Sequence, residues 1–176
     1  MVMTTRDIGS RLGAFRWMPP LLSHLRRRAW AYGCLLMLAV WLQQHYTLGL
    51  NATDSLPGRL FLIERHQMPD RGELVAFRWH GSSHYPNGTT FIKVLEGLPG
   101  DSVAQMDGVF YVNAQAVGRA KPLDKLGQTL NPGPVGTLPE GRFFVWSPHP
   151  DSLDSRYELT GWIARDQVLG RARVLF

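Results

Sequence analysis

A mostly-β domain of short antiparallel strands, set behind one apolar N-terminal helix, is the fold class this sequence predicts. Three observations predict it. An uncharged, largely apolar run occupies residues 29–50. No helical period of any length occurs from 51 to 176. In that second stretch short apolar segments alternate with explicit turn signals. A chain of 176 residues, 44% hydrophobic and 19% charged, suits one ordinary globular domain plus an appendage. Its 12 prolines and 18 glycines follow no repeat and suit many turns rather than long helices.

The head of the chain is basic. Arg6, Arg11, Arg16, Arg26, Arg27 and Arg28 face only Asp7 in residues 1–50, which accounts for the whole formal net charge of +5. Residues 51–176 balance, so the folded part has no excess positive charge for phosphate contacts, and no direct nucleic-acid partner is expected. Ala29–Leu42 reads AWAYGCLLMLAVWL. Alone it is shorter than the about 20 apolar residues a spanning helix needs. Counting on to Leu50 lengthens the stretch without formal charge enough to span. Trp30, Tyr32, Trp41 and Tyr46 lie toward its ends, as interfacial aromatics do, and Arg26–Arg28 mark the cytoplasmic side. The expected organisation is a basic cytoplasmic segment over 1–28, a transmembrane anchor (or uncleaved signal) over 29–50, and an extracytoplasmic domain over 51–176. That places the chain in a bacterial inner membrane, N-terminus cytoplasmic and folded domain periplasmic. A cleaved signal peptide and a buried core helix are the competing readings. Against the first stands the want of a small-x-small site after Leu42; against the second, the arginine triplet abutting the apolar run. Cys34 is the only cysteine, so no intrachain disulfide is possible.

Candidate strands are Gly58–Glu64, Glu73–Trp79, Thr90–Glu96, Ser102–Met106, Val109–Val112, Arg142–Trp146 and Gly170–Leu175. Between them lie turn-rich segments at 68–72, 80–88 and 98–101. Asp107-Gly108 between two apolar runs is a strong hairpin signal. Residues 114–141, rich in Gly and Pro, read as an irregular excursion, and the whole insert extends over about 107–141.

The chain lacks a G-x-S-x-G elbow, S-x-x-K, H-E-x-x-H and a Gly-rich phosphate loop. His80 and His84 are four apart, but Gly-Ser-Ser between them is poor helix, so neither a metal nor any cofactor is expected. The lysines are more informative. Lys93, Lys121 and Lys125 are the only three, and the last two fall in the insert. Lys93 lies in a probable strand with Phe91 and Leu95 on its face. A lysine held among apolar groups loses hydration, its charged form is disfavoured, and it becomes a usable general base. An ordinary edge-strand lysine reaching water is the alternative on spacing alone. Ser55, in Asn51-Ala-Thr-Asp-Ser-Leu-Pro-Gly58, is likewise an ordinary loop serine when read alone.

Three segments together resemble the type I signal-peptidase family, in order and at similar spacing. Ser55-Leu56-Pro57 with Gly58-Arg-Leu-Phe61 is similar to its nucleophile box. Phe91-Ile-Lys-Val-Leu-Glu-Gly-Leu-Pro-Gly-Asp101 is similar to its lysine box, and Gly-Leu-Pro-Gly-Asp is the most specific part. Asp151-Ser-Leu-Asp-Ser-Arg-Tyr157 is similar to its C-terminal Asp-Ser-Arg box, and Val168–Ala172 to its last strand. The resemblance covers roughly residues 30–176. It implies an antiparallel β domain with a smaller β insert. It also implies Ser55 as nucleophile, Lys93 as base, and Thr53 with the Ser55 N–H as oxyanion donors. Ser152 would orient the lysine. Asp154 and Arg156 would form a supporting pair, with pure fold support an equal alternative.

There are departures. Val94 follows the lysine where the family usually has a basic residue. Leu56 stands where housekeeping enzymes usually have Met. Trp146-Ser-Pro-His-Pro150 replaces a Gly-Asp-Asn box. The Asn-x-Thr-x-Ser-x-Pro-Gly start and Ser-Pro-His-Pro resemble the TraF-type conjugative-transfer subgroup, which matures and in some members cyclises pilins. The implied function is membrane-anchored processing of a secreted precursor, a prepilin, with a conjugative transfer complex as a possible partner. A general leader peptidase and a non-catalytic part of a conjugation channel are the alternatives.

Overall fold

The structure is a computed structural model that describes residues 18–50, 56–80 and 85–176. The chain divides between Gln43 and Gln44 into two compact units. The first consists largely of helix α1 (Met18–His45). Pro19 and Pro20 fall in its first turn, where a missing N–H costs little. Large apolar side chains along it stay exposed, among them Trp30, Leu36 and Met37.

Two findings correct the anchor expected over 29–50. The helix ends at His45, and Tyr46–Leu50 is a strand, β1. Its backbone groups have a partner in β2 (Leu60–Arg65), from Tyr46 against Glu64 to Leu50 against Leu60. Tyr46 and Thr47 also favour extended backbone. Further, no helix among the described residues is long and apolar enough to cross a membrane. The apolar run of α1, from Ala29 to Leu42, covers about 21 Å at helical rise. The hydrocarbon layer is roughly 30 Å thick, and Gln43, Gln44 and His45 follow at once.

The second unit contains the other strands: β3 (Leu74–Arg78), β4 (Thr90–Gly97), β5 (Ser102–Met106), β6 (Val109–Val112), β7 (Gln115–Arg119), β8 (Gly136–Thr137), β9 (Arg142–Trp146), β10 (Ile163–Ala164) and β11 (Val168–Val174). They form a seven-stranded sheet in the order β1-β2-β11-β3-β4-β9-β10 and a four-stranded sheet in the order β7-β6-β5-β8. The described pairings are antiparallel, and β11 returns to lie between β2 and β3. The mostly-β antiparallel expectation therefore holds.

The expected strands β5, β6 and β9 coincide with the observed ones, while β2, β3, β4 and β11 differ by one or two residues at their ends. The region expected to be loose from 114 onward instead begins with β7. Its turn, Asn113-Ala114, has positive φ at both residues, 48° and 65°. That is the hairpin geometry usually announced by glycine, and here Ala114 hides it. Strands β8 and β10 have two residues each, below any periodic signal.

Alternation along the strands sends side chains to two faces of the larger sheet. Val75, Phe77, Trp79 and Leu95 join Phe143, Val145 and Ile163 on one side. Ala76, Phe61, Ile63, Ala172 and Leu56 make the cluster of the other. Strand β9 serves two cores: Phe143 and Val145 enter the first, while Phe144 packs with Val103 and Phe110 of the smaller sheet and with Leu138 just beyond β8.

The register of β11 depends on Gly170, which has φ +155° at a bulge, where an added Cβ would lie 2.0 Å from the Glu64 carbonyl oxygen. Gly170→Ala is expected to lower unfolding stability by about 2–4 kcal/mol, read as a fall in the urea midpoint. A change under about 0.5 kcal/mol, the size of a neutral surface substitution, would show that β11 can shift to make room.

Candidate active site

Lys93 sits in the middle of β4 and pairs in register with Val75 of β3. Its side chain therefore shares the face of Phe91 and Leu95, as the alternation of the sequence predicts. Only 5% of Lys93 is exposed. The ammonium nitrogen stands 5.7 Å from the centre of the Phe91 ring. It donates one hydrogen bond of 2.7 Å, to Ser152 Oγ. Burial pulls its pKa down from the usual 10.5 to about 8, with Asp154 pulling the other way and Arg156 reinforcing the depression. Such an amine sheds its proton near neutral pH, as a proton acceptor requires.

Ser152 comes from the loop that follows β9, and Asp154, Ser155 and Arg156 of the same loop hold it. Asp154 is completely buried. Its Oδ1 accepts the Arg156 Nε–H at 2.8 Å and Oδ2 accepts Nη2–H at 2.8 Å. Oδ2 also accepts the Ser147 N–H at 3.1 Å. Arg156 spends further donors on backbone carbonyls: Nη2 on Ser147 at 3.3 Å, Nη1 on Arg119 at 3.1 Å. Burial opposes the charge of Arg156, but hydrogen bonding and attraction to Asp154 outweigh it and raise its pKa. The pair thus fastens the Ser152 loop to itself and to β7. Each member of the pair also acts electrostatically on Lys93, Asp154 raising its pKa and Arg156 lowering it.

Ser155 has a role that the sequence reading missed. Its N–H donates to the Val145 carbonyl at 3.0 Å, and its Oγ accepts the Val145 N–H at 3.0 Å. The loop is thereby tied to β9. A second serine inside the Asp-Ser-Leu-Asp-Ser-Arg box was the available signal. The insert crosses the same loop closely: an added Cβ on Gly133 would lie 2.2 Å from the Ser155 carbonyl oxygen, and Gly133 N–H donates to the Arg156 carbonyl at 2.8 Å. Only glycine fits that crossing.

The structure brings Lys93, Ser152, Asp154 and Arg156 together. Ser55 and Thr53 lie outside the described residues, as does His84. Leu56, the residue after Ser55, is buried against Phe61 and Ile63.

The family model described as signal peptidase, peptidase S26, matches residues 22–176. The chain is 34% identical over 116 residues to signal peptidase I T of Bacillus subtilis, covering 60% of this chain and 56% of that protein. It is 36% identical over 114 residues to a probable signal peptidase I-2 of Synechocystis sp., covering 61% and 48%. The chain thus spans about half the length of these relatives. A crystal structure of a signal peptidase I from Enterococcus faecalis aligns with a TM-score of 0.41 at 28% identity, over 60% of this chain and 97% of that one. A family match over residues 22–176, which takes in the lysine box and the Asp-Ser-Arg box that meet at Lys93 and Ser152, makes this chain a member of the signal peptidase family, peptidase S26.

Proposed function

We propose that this protein is a serine endopeptidase held at a membrane by α1, with Ser55 as nucleophile and Lys93 as general base, and that it cuts exported precursor polypeptides. The observation that carries the reading is the burial of Lys93 among apolar groups with Ser152 as its hydrogen-bond partner. An amine with a pKa of about 8 is neutral in about one molecule in ten at pH 7. Neutral Lys93 takes the hydroxyl proton of Ser55 as Oγ attacks the scissile carbonyl. The Ser55 N–H and the Thr53 hydroxyl receive the developing oxyanion. The Lys93 ammonium returns the proton to the leaving amine, and water then releases the acyl group by the same base. No cofactor enters these steps. Ser152 keeps the amine in one orientation throughout.

A precursor in extended form would add to the outer edge of β1, the terminal strand of the larger sheet, which runs directly into the Ser55 segment. A cavity of about 200 Å³ beside β1, lined by Gly49, Ile63, Thr90 and Ile92, supports small side chains there. The exposed apolar side chains of α1 support membrane attachment, and Arg26–Arg28 beside its apolar run suit anionic headgroups.

The narrower reading is a peptidase dedicated to one substrate, a conjugative prepilin, working beside a transfer complex. Ser147-Pro-His-Pro150 supports it. A second reading, a general leader peptidase, is favoured by the signal peptidase I relatives. Processing of a prepilin and of a general preprotein by the same membranes separates the two.

Ser55→Ala and Lys93→Ala should each reduce processing by about 10²–10⁴-fold. Lys93→Arg should be as inactive, because arginine keeps its proton. Processing by Lys93→Arg at the wild-type rate would remove lysine from the mechanism.

The pH dependence of kcat/KM should rise about tenfold per unit below pH 8 and level off above it, following the neutral amine. A profile flat from pH 6 to 9 would contradict it.

Stability carries the same signature. The folded pKa lies below the unfolded one, so the cost of burying the charge is complete below about pH 8 and fades as pH rises toward 10.5. Lys93→Met should exceed wild type in stability at pH 7 by roughly 3 kcal/mol, and the gap should close by pH 10.5. Denaturant titrations at both pH values read this directly. An unchanged gap would mean that Lys93 titrates as in water.

A further inference from the structure

A cavity of about 290 Å³ lies between the insert and the loop that carries Ser152. Its walls include Tyr85, Leu123, Leu126, Leu130, Leu153 and Tyr157, and Ser152 itself lines it. We propose that this cavity is a substrate subsite that takes one bulky apolar side chain of the precursor, distinct from the small-residue groove beside β1. The proposal rests on the Ser55–Lys93 reading and adds a determinant of specificity to it.

Two independent contacts connect the cavity to the base. Ser152 lines it and accepts the Lys93 hydrogen bond at 2.7 Å. Tyr85 lines it from the opposite segment, its ring edge-on to Phe91 with centroids 5.1 Å apart, and Lys93 Nζ stands 5.7 Å from that same Phe91 ring. A group seated in the cavity is therefore one side chain, Ser152, from the amine on one side and two, Tyr85 and Phe91, on the other. A polypeptide bound across the site comes within reach of it.

The chemistry of the walls selects the occupant. Leu126 is 79% exposed and Leu123 49%, so apolar surface stands open to solvent. The charged groups nearby are engaged with one another or with backbone. Lys121 pairs with Asp151, and Lys125 Nζ lies 3.5 Å from the same carboxylate. Asp124 Oδ1 accepts the N–H groups of Leu126 and Gln128 at 2.8 Å each. The two cations are balanced by two carboxylates, which disfavours an ionic ligand. The volume falls at the lower limit of small-ligand pockets, about 300–1,000 Å³, which suits a side chain rather than a cofactor. The wall is also preformed. Leu123 bridges to Thr129, Leu130 N–H donates to the Pro122 carbonyl at 2.9 Å, and Tyr157 Oη accepts the Lys121 N–H at 3.1 Å.

The test uses the full chain in lipid vesicles with peptides that carry small residues before the cut, as the groove beside β1 suits. In one arm, Ser55→Ala protein is irradiated with peptides carrying photo-leucine at each position in turn. Crosslinks from one position to residues 121–130 or 153 are expected, and crosslinks that fall only elsewhere overturn the proposal. In the other arm, wild type should prefer Leu over Ala at that same position by about tenfold, the discrimination a few methylenes supply. Gln128→Trp, which puts an indole into the cavity from an exposed wall position, should bring that ratio to about one or reverse it. A tenfold preference that Gln128→Trp leaves intact overturns the proposal. Loss of cleavage in Ser55→Ala beside a flat wild-type preference overturns the cavity alone. Equal cleavage by wild type and Ser55→Ala overturns the dyad, and the crosslinking arm then decides the cavity separately.

Discussion

Asp154 and Arg156 meet almost without solvent, their side chains 0% and 3% exposed, and the site is arranged around that contact. A buried ion pair seldom adds net stability over a well-packed apolar pair, but losing one partner strands a charge at a cost of about 3–5 kcal/mol. Its value here is geometric. The guanidinium distributes its donors over the carboxylate and over carbonyls from three places in the chain, Arg119, Ser147 and His149. Each bond removes a freedom of the loop from 147 to 156. Ser152 lies mid-loop, and its hydroxyl meets Lys93 because both sides of it are held.

The lysine illustrates the opposite use of burial. In a core built for stability, Lys93 would be an apolar residue. Kept as lysine, it carries the desolvation of an ammonium, partly offset by Asp154 and increased by Arg156. The surrounding β strands absorb that cost through packing on both faces of the larger sheet. Strain of this kind is common where chemistry needs a group in its less comfortable state.

Much of this was legible in the sequence because it depends on local rules. Alternation placed Lys93 with Phe91 and Leu95 before any coordinates, and Asp107-Gly108 announced the β5–β6 hairpin, with φ of 50° and 79°. Ser152, Asp154 and Arg156 came instead from the resemblance of their segment to the family's Asp-Ser-Arg box. What escaped depends on partners distant in the chain. Tyr46–Leu50 looks like the tail of an apolar run and becomes a strand only because Leu60–Glu64 lies beside it. Strand β7 follows a left-handed turn at Asn113-Ala114 that carries no glycine. The role of Ser155 depends on Val145, ten residues away and across a turn. The cavity wall joins Tyr85 to Leu126 and Ser152, three segments that no single window contains.

The Arg156 bond to the Arg119 carbonyl also has a dynamic consequence. Strand β7 belongs to the smaller sheet, while Ser155 binds Val145 on β9 of the larger one. One short loop therefore joins both sheets, and Phe144 adds an apolar link between them. Opening either sheet at that seam exposes the buried guanidinium. The amide hydrogens of β6, β7 and β9 should consequently exchange with deuterium as one cooperative unit, the smaller sheet borrowing the protection of the larger.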